Sequence, residues 1–554
     1  MKKWTRILAI VLALGMLLAL SACGEKKADP LVRQLVDEDA MAIVRKDFDS
    51  DQAYYRAVEQ RRADEVLGLA LAGRNLDMNV GDPFYLGGKL LLTLDQSALE
   101  QELLDLVTES AGVDLSWLKS LGLNVNAGRS GELDQLDLAL QLNETDIITA
   151  QLVMDRGSMT EYVRVPELND SAASVSLAEM GIPADPAEMG QLVSDYFSNP
   201  VDLDTLQRYY AIVMDNMQDV TLSEGSVTAG ELTNTCTVAN VSVNGENVLS
   251  IAKAVLDAAE NDEQIRGLVY YAMRLGGEFE GSAEDFGETY QTKINELRQK
   301  LEETKPEDVG ITLEMTVYID EKGEILGRHA ELKQNGETKL LYAPLTARDG
   351  DKLGVDLQIG VRDGDSYEWG GQTRSWEDYT LVSLQGNGSL SADTGAISGD
   401  FLLHMAINSD YNGEKTENEH DIFQVKVNGK LGPGGFLGEL ELIPTQEILD
   451  LACEELDGAP ESVLRLVRSL SLYASNQGTG SNLDFRYVLR SNGKDLLTMS
   501  MTASPVDAFE ITVPTDPVDM DTWSSGIGFG ALSNLMNNLR NAGVPSSVFN
   551  GLLG

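Results

Sequence analysis

Residues 146–154 read DIITAQLVM and residues 495–503 read DLLTMSMTA. From Ile148 or Leu497 onward every second side chain is apolar: Ile148, Ala150, Leu152 and Met154 in one, Leu497, Met499, Met501 and Ala503 in the other. That period of two is the mark of a strand with one dry face. Working upstream, Leu136, Leu138, Leu140 and Leu142 precede the first stretch, and Leu483, Phe485, Tyr487 and Leu489 precede the second. Farther back, QELLDL from Gln101 and QEILDL from Gln446 each open a helical pattern. Each follows a strand pattern, GKLLLTL from Gly88 or GELELIP from Gly438. Downstream, YVRVPEL from Tyr162 and EITVPTD from Glu510 supply a third strand that stops at Pro166 or Pro514. Order, spacing and side-chain phase agree, so an internal duplication is expected, residues 84–168 against residues 436–516. Each unit would be a sheet with one apolar face and a helix to cover it.

Between the two units, residues 308–443 run as short alternating stretches divided by Gly, Asn and Asp, among them ITLEMTVYID, GRHAELKQNG, GVDLQIGVRDGD and GDFLLHMAINSD. This predicts an antiparallel meander. Helical patterns occupy 31–75, 202–218 and 247–273, and Ser282-Ala283-Glu284-Asp285 reads as a capping box before Phe286, Tyr290, Ile294, Leu297 and Leu301. The expected fold class is α+β, with internally duplicated, curved antiparallel sheets covered by helices. The expected organisation is an N-terminal α+β domain at 31–306 and a C-terminal meander with helices at 307–520. A helical tail follows at 521–554.

The first thirty residues set the compartment. Lys2, Lys3 and Arg6 are followed by an apolar run from Ile7 to Leu20 and the small residues Ser21 and Ala22, the layout of a secretory signal. Leu20-Ser21-Ala22-Cys23 resembles the bacterial lipobox, which implies diacylation of the Cys23 thiol and cleavage before it. Residues 1–22 are then a signal peptide and 23–30 a tether. The location that follows is the extracytoplasmic face of the cell membrane, with acyl chains each contributing about 0.8 kcal/mol per buried methylene. The formal charge of −47 argues against a nucleic-acid partner, which would need cations against phosphate. Only Cys236 and Cys453 accompany Cys23, too few for a disulfide scaffold; one bridge between them is the remaining option, and Cys453 reads as a small buried helix residue.

Motifs for catalysis are scarce. The three histidines, His329, His404 and His420, stand in no metalloprotease, phosphate-loop or nucleophile-elbow pattern, and read as two strand residues and one residue of an acidic loop. No catalytic residue and no cofactor site is expected. Asn408, Asp410, Asn412, Gly413 and Glu419 fall at calcium-loop offsets. The leading Asn, Lys415 and flanking strands depart from that pattern, and a long acidic hairpin loop is the simpler reading, with calcium the minor one. Tyr367, Trp369 and Trp376 form an aromatic group in a Gly-rich hairpin that could stack on a sugar or pack against a protein. Trp117 reads as a packing residue of the helical segment, and Gly526–Gly530 as a flexible lead into a last helix at 531–542.

The LSAC anchor, the acidic body, YVRVPEL, VYIDEKGEILG and the NNLRNAGVPSSVF ending resemble lipoproteins of clostridia-like Gram-positive bacteria, a group that brings no known activity. More distantly, helix-covered curved sheets on a lipid anchor are similar in architecture to lipoprotein-localisation and mycobacterial lipid-transfer carriers, whose concave apolar face holds the ligand. The expected function is that of a non-enzymatic, membrane-anchored lipoprotein that binds a small apolar ligand, a glycan or an envelope protein. The alternatives are a carrier of lipid in a concave sheet and an extracytoplasmic hydrolase using two carboxylates.

Overall fold

The computed structural model describes residues 42–72, 83–176 and 203–548, apart from short breaks at 112–113, 159, 218, 276–277, 280, 370–371, 392–393, 433–434, 457, 480–481 and 547. Cys23 and the leader lie outside the described residues.

In chain order, helix α1 (Asp51–Ala72) precedes strand β1 (Phe84–Leu94), helix α2 (Gln101–Ala111) and the strands β2 (Ser120–Ser130), β3 (Leu133–Leu142), β4 (Thr145–Asp155), β5 (Thr160–Arg164) and β6 (Ala173–Ser176). Helix α3 (Leu203–Asp215) leads to β7 (Asp219–Ala229) and β8 (Leu232–Val243), then to four helices, α4 (Gly245–Ala259), α5 (Glu263–Leu275), α6 (Ala283–Glu303) and α7 (Pro306–Val309). The meander follows: β9 (Ile311–Ile319), β10 (Ile325–Gln334), β11 (Glu337–Asp349), β12 (Lys352–Trp369), β13 (Gln372–Leu390), β14 (Ala396–Tyr411), β15 (Glu414–Gly432) and β16 (Gly435–Pro444). Helices α8 (Gln446–Glu455) and α9 (Glu461–Arg468) separate it from β17 (Leu470–Asn476), β18 (Leu483–Ser491) and β19 (Lys494–Pro505). The short β20 (Val518–Asp519), α10 (Met520–Ser525) and α11 (Phe529–Asn541) come last.

The fold is α+β. The described strands form one sheet of 20 strands, curved and unclosed. Hydrogen-bonded neighbours run from β7 to β19 in sequence. The ladder β1–β19 then carries the sheet on through β1 to β6, with β20 beside β6 as its one parallel pairing. The ladder between β8 and β9 crosses residue 306/307, so the sheet runs on through the expected domain boundary.

Because side chains alternate, register fixes which residues share a face. Met315 lies opposite Ala330, Tyr342 opposite Ile359, Ile359 opposite Val382, Met501 opposite Leu90 and Leu123 opposite Leu140. One face thereby carries apolar side chains on strand after strand, interrupted at Asp363, Asp365 and His420, and helices dock on it in separate places. Tyr54, Tyr55 and Val58 of α1 and Met214 of α3 bury Ala239, Val241, Val317 and Ile319. Ile448 and Leu451 of α8 pack on Phe401, Leu403, Phe423 and Val425. Trp523 of α10 packs on Ile148, Ala150, Val163 and Ala173. Each docking removes apolar area worth roughly 25 cal/mol per Å². The other face is used at the β7 end, where the β7–β8 turn folds back over β11 and β12. Asn234 exchanges two hydrogen bonds with the backbone of Arg348, at 2.8 and 2.7 Å. A Cβ at Gly354 would sit 1.9 Å from the carbonyl oxygen of Ala229, an approach only glycine permits.

The expected duplication is not confirmed, since the second unit lacks the strand expected to end at Pro514, but local features of the two units recur. In each, a strand, a helical segment and three further strands follow, and the strand before the helix pairs with the strand after it, β1 with β2 and β16 with β17. The hairpins agree in detail. Asn143 and Asn492 both take positive φ at the turn, 49° and 52°. In both, one residue four places later, Ile147 or Leu496, bulges out of the ladder and is buried. A third segment, β8 through β11, has the same arrangement, with positive φ at Asn335 and a ladder shift at Leu332/Lys333.

Several local expectations are corrected. Residues 510–513 form no strand: the outer edge of β19 is taken by β1, so EITV has no ladder to join. The helical pattern at 247–273 is two helices, because Asp262 turns its carboxylate onto the N–H groups of Gln264 and Ile265 and starts α5 afresh. The stripe of α6 ends early: Phe286, Tyr290 and Ile294 are buried and Leu297 is exposed. Trp117 lies in a turn after α2, and the last helix begins at Phe529.

Candidate functional site

Between its covered portions the apolar face is open. Leu332 of β10, Leu340 and Tyr342 of β11, Ile359 and Val361 of β12 and Tyr411 of β14 are 37–50% exposed. They are not scattered: Leu332 lies opposite Leu340, Leu340 opposite Val361, and Tyr342 opposite Ile359. Directly opposed side chains have Cβ atoms about 5 Å apart, so the residues of β10–β12 make one strip. Of the aromatic group noted in the sequence, Trp376 belongs to this face. Trp376 lies opposite Tyr411 on one side and Asp365 on the other, and positions 365, 367 and 369 continue the row of Ile359 and Val361. Register thus puts Trp376 beside Tyr411 on the face of the strip, while Tyr367 and Trp369 pair in the backbone with Arg374 and Gln372. The sequence concealed this because Asp363 and Asp365 interrupt the apolar alternation.

On the reverse side of the same strands the contacts are polar. Arg362 donates to Glu377 at 2.8 Å and lies over the Tyr379 ring at 5.3 Å. Burial raises the Tyr379 phenol above its ordinary value. A second open strip lies on the apolar face where β1 joins β19: Leu86 and Leu90 of β1, Leu121 of β2, Leu140 of β3, and Met499 and Met501 of β19. Behind it, on the polar face, a groove of about 530 Å³ opens to solvent between Lys89, Asn124, Asn126, Asp484 and Thr502.

The other sequence candidates are placed as follows. Residues 408–419 are two paired strands joined by a two-residue turn, Asn412 and Gly413 at φ 55° and 88°, where a long acidic loop was expected. Asn408 and Asp410 lie on β14 and Glu419 on β15. Asp410 accepts the Gly413 N–H at 2.7 Å, and Asn412 accepts the Ser375 N–H at 3.0 Å. This backbone does not wrap around a cation as a twelve-residue loop does. Among the described residues, no group of three or more His, Cys, Asp or Glu is arranged to hold a metal. His404 bonds Asp421 at 3.0 Å and His329 bonds Glu331 at 3.1 Å. His420 is a strand residue of β15, where a loop was expected, and bonds Glu447 at 2.8 Å. That bond holds the Glu447 carboxyl below the ordinary carboxylate range. Cys236 and Cys453 are buried free thiols.

Comparison of the chain with protein-family models, with curated proteins and with solved structures finds no match. Among the described residues no helix is long and apolar enough to cross a membrane.

Proposed function

We propose that the chain is a binding lipoprotein without catalytic role, held through acylated Cys23 at the extracytoplasmic face of the cell membrane, and that the strip on β10–β12 takes an acyl chain or similarly apolar ligand. The observation that carries this reading is the strip itself: opposed apolar side chains stay 37–50% exposed on a face that helices cover elsewhere. A contiguous exposed apolar patch of this kind marks an interaction site. Leu332, Leu340, Ile359 and Val361 offer no group for sugar hydroxyls, which favours an aliphatic ligand over a glycan. The electrostatics also favour binding over hydrolysis. Among the described residues, the carboxyls with displaced acidity, such as Asp155, Glu447 and Asp519, are held low by hydrogen bonds to their ionised forms. A general acid needs the opposite shift. The second strip supports a further reading, carriage of lipid along the open sheet.

The test is a titration of the purified protein with a fluorescent fatty-acid probe. Saturable binding is expected, weakened at least about tenfold by Val361→Glu, because a charge cannot follow an acyl chain into apolar contact. Equal binding by the native protein and Val361→Glu contradicts the site.

A further inference from the structure

The surface least like the rest of this acidic molecule joins α10 to α11. Residues 522–539 contain no charged side chain, and Arg540 is the single charge in residues 522–554, in a chain of which 24% is charged. Asp519 and Asp521 bound this stretch on one side and Arg540 on the other. Within it Phe529 is 90% exposed, the most exposed large apolar side chain among the described residues, and Ile527 and Leu532 are exposed beside it in sequence.

The mount is firm. Trp523 is buried, its Nε1 donating to the Ser171 carbonyl at 2.9 Å, while Asn169 donates to the Trp523 carbonyl at 2.9 Å. Farther along α11, Asn538 donates to the Ile147 carbonyl at 3.0 Å, and the Ala542 carbonyl just beyond it accepts from Asn143 at 2.7 Å. The glycines around Phe529 are not demanded by packing. A Cβ at Gly530 meets nothing within 4 Å, and one at Gly528 meets only the Gly526 carbonyl oxygen at 3.9 Å. Bare backbone on both sides leaves the Phe529 ring as the projecting group.

We propose that residues 526–532 are a bilayer-insertion tip, through which Ile527, Phe529 and Leu532 enter the interfacial region of the membrane. This occupant fits because the tip presents apolar side chains with no charge to desolvate, and aromatic rings partition favourably at the interface. Nearness to a bilayer rests on the anchored reading given above. The anchor also permits the contact. Nineteen residues separate Cys23 from Ile43, whose N–H is bonded to the Lys322 carbonyl, and a chain of that length reaches up to about 70 Å. The tip would be a second contact that orients the body on the surface.

The experiment uses the full-length protein from its own membranes, reconstituted into phosphatidylcholine vesicles containing a phospholipid with a diazirine in its acyl chain. After irradiation, peptides are mapped by mass spectrometry. Adducts are expected on the peptide carrying Ile527–Leu532, reduced about tenfold in Phe529→Asp and unchanged by 1 M salt, since no charge is involved. Phe529 is nearly fully exposed, so the variant should keep the native melting temperature. Adducts confined to other regions overturn the tip, as does a concentration-dependent dimer, abolished by Phe529→Asp, that leaves the tip unlabelled. The same spectra report the Cys23 peptide separately. Acyl mass without tip adducts removes the tip and keeps the anchor, and tip adducts without acyl mass do the reverse.

Discussion

Glu59 of α1 is 1% exposed and accepts hydrogen bonds from Arg328 of β10 at 2.7 Å and Tyr210 of α3 at 3.0 Å. Burial would lower the Arg328 pKa, but the Glu59 charge and hydrogen bond outweigh it and raise it. Beside the pair, burial and then the Glu59 charge keep the Tyr55 phenol protonated. Breaking such a pair leaves an uncompensated buried charge, so Arg328→Met should cost about 3–5 kcal/mol in urea unfolding. A loss below about 1 kcal/mol would mean that the carboxylate is relieved some other way. The Glu447 carboxyl makes a pH prediction. Its folded pKa lies below the unfolded value, principally through His420. Its contribution is therefore present above about pH 4.3 and lost as pH falls through the folded value. Glu447→Gln should remove that part of the acid-side slope in thermal melts taken from pH 6 to pH 3, and an unaltered slope would contradict the pairing. Neither group was legible in the sequence, because burial of Glu59 and the reach of His420 to α8 depend on contacts hundreds or tens of positions apart.

At the scale of elements, the sequence carried what is local and periodic. The alternation in DIITAQLVM and DLLTMSMTA located β4 and β19 in phase, and Ser282 located the start of α6. The third strand–helix–meander segment went unnoticed because four helices, α4 to α7, separate β8 from β9. Strand β2 was also missed: SLGLNVNAGRS spends its alternate positions on Gly and Asn. The bulges at Ile147 and Leu496 explain why each hairpin carries two adjacent apolar residues, one per face. The turns offer a discriminating test. Asn492 needs only its positive φ, whereas the Asn143 side chain also accepts from Lys119 and Ser120 and donates to the Trp117 and Ala542 carbonyls. Asn492→Gly should thus be nearly neutral in denaturant unfolding. Asn143→Gly keeps the backbone freedom, loses those bonds, and should cost about 1–3 kcal/mol. Equal effects at both positions would show that the side-chain bonds of Asn143 contribute nothing.

For the whole molecule, the fold class followed from alternation and caps, but the joining of everything into one sheet did not. The ladder between β1 and β19 links residues about 400 apart in sequence, and its register, Leu90 on Met501, is what makes the apolar face continuous. Continuity of that face, with helices on some of it and none of the strip's side chains fully covered, is the physical basis of the proposed binding role. Native mass spectrometry of the protein purified gently from its own cells tests this most directly. A retained apolar molecule of defined mass is expected on the native protein and is expected to be absent from Val361→Glu. A native protein that carries nothing, or a variant that retains the same molecule in full, would contradict the claim that the open strip is the ligand site.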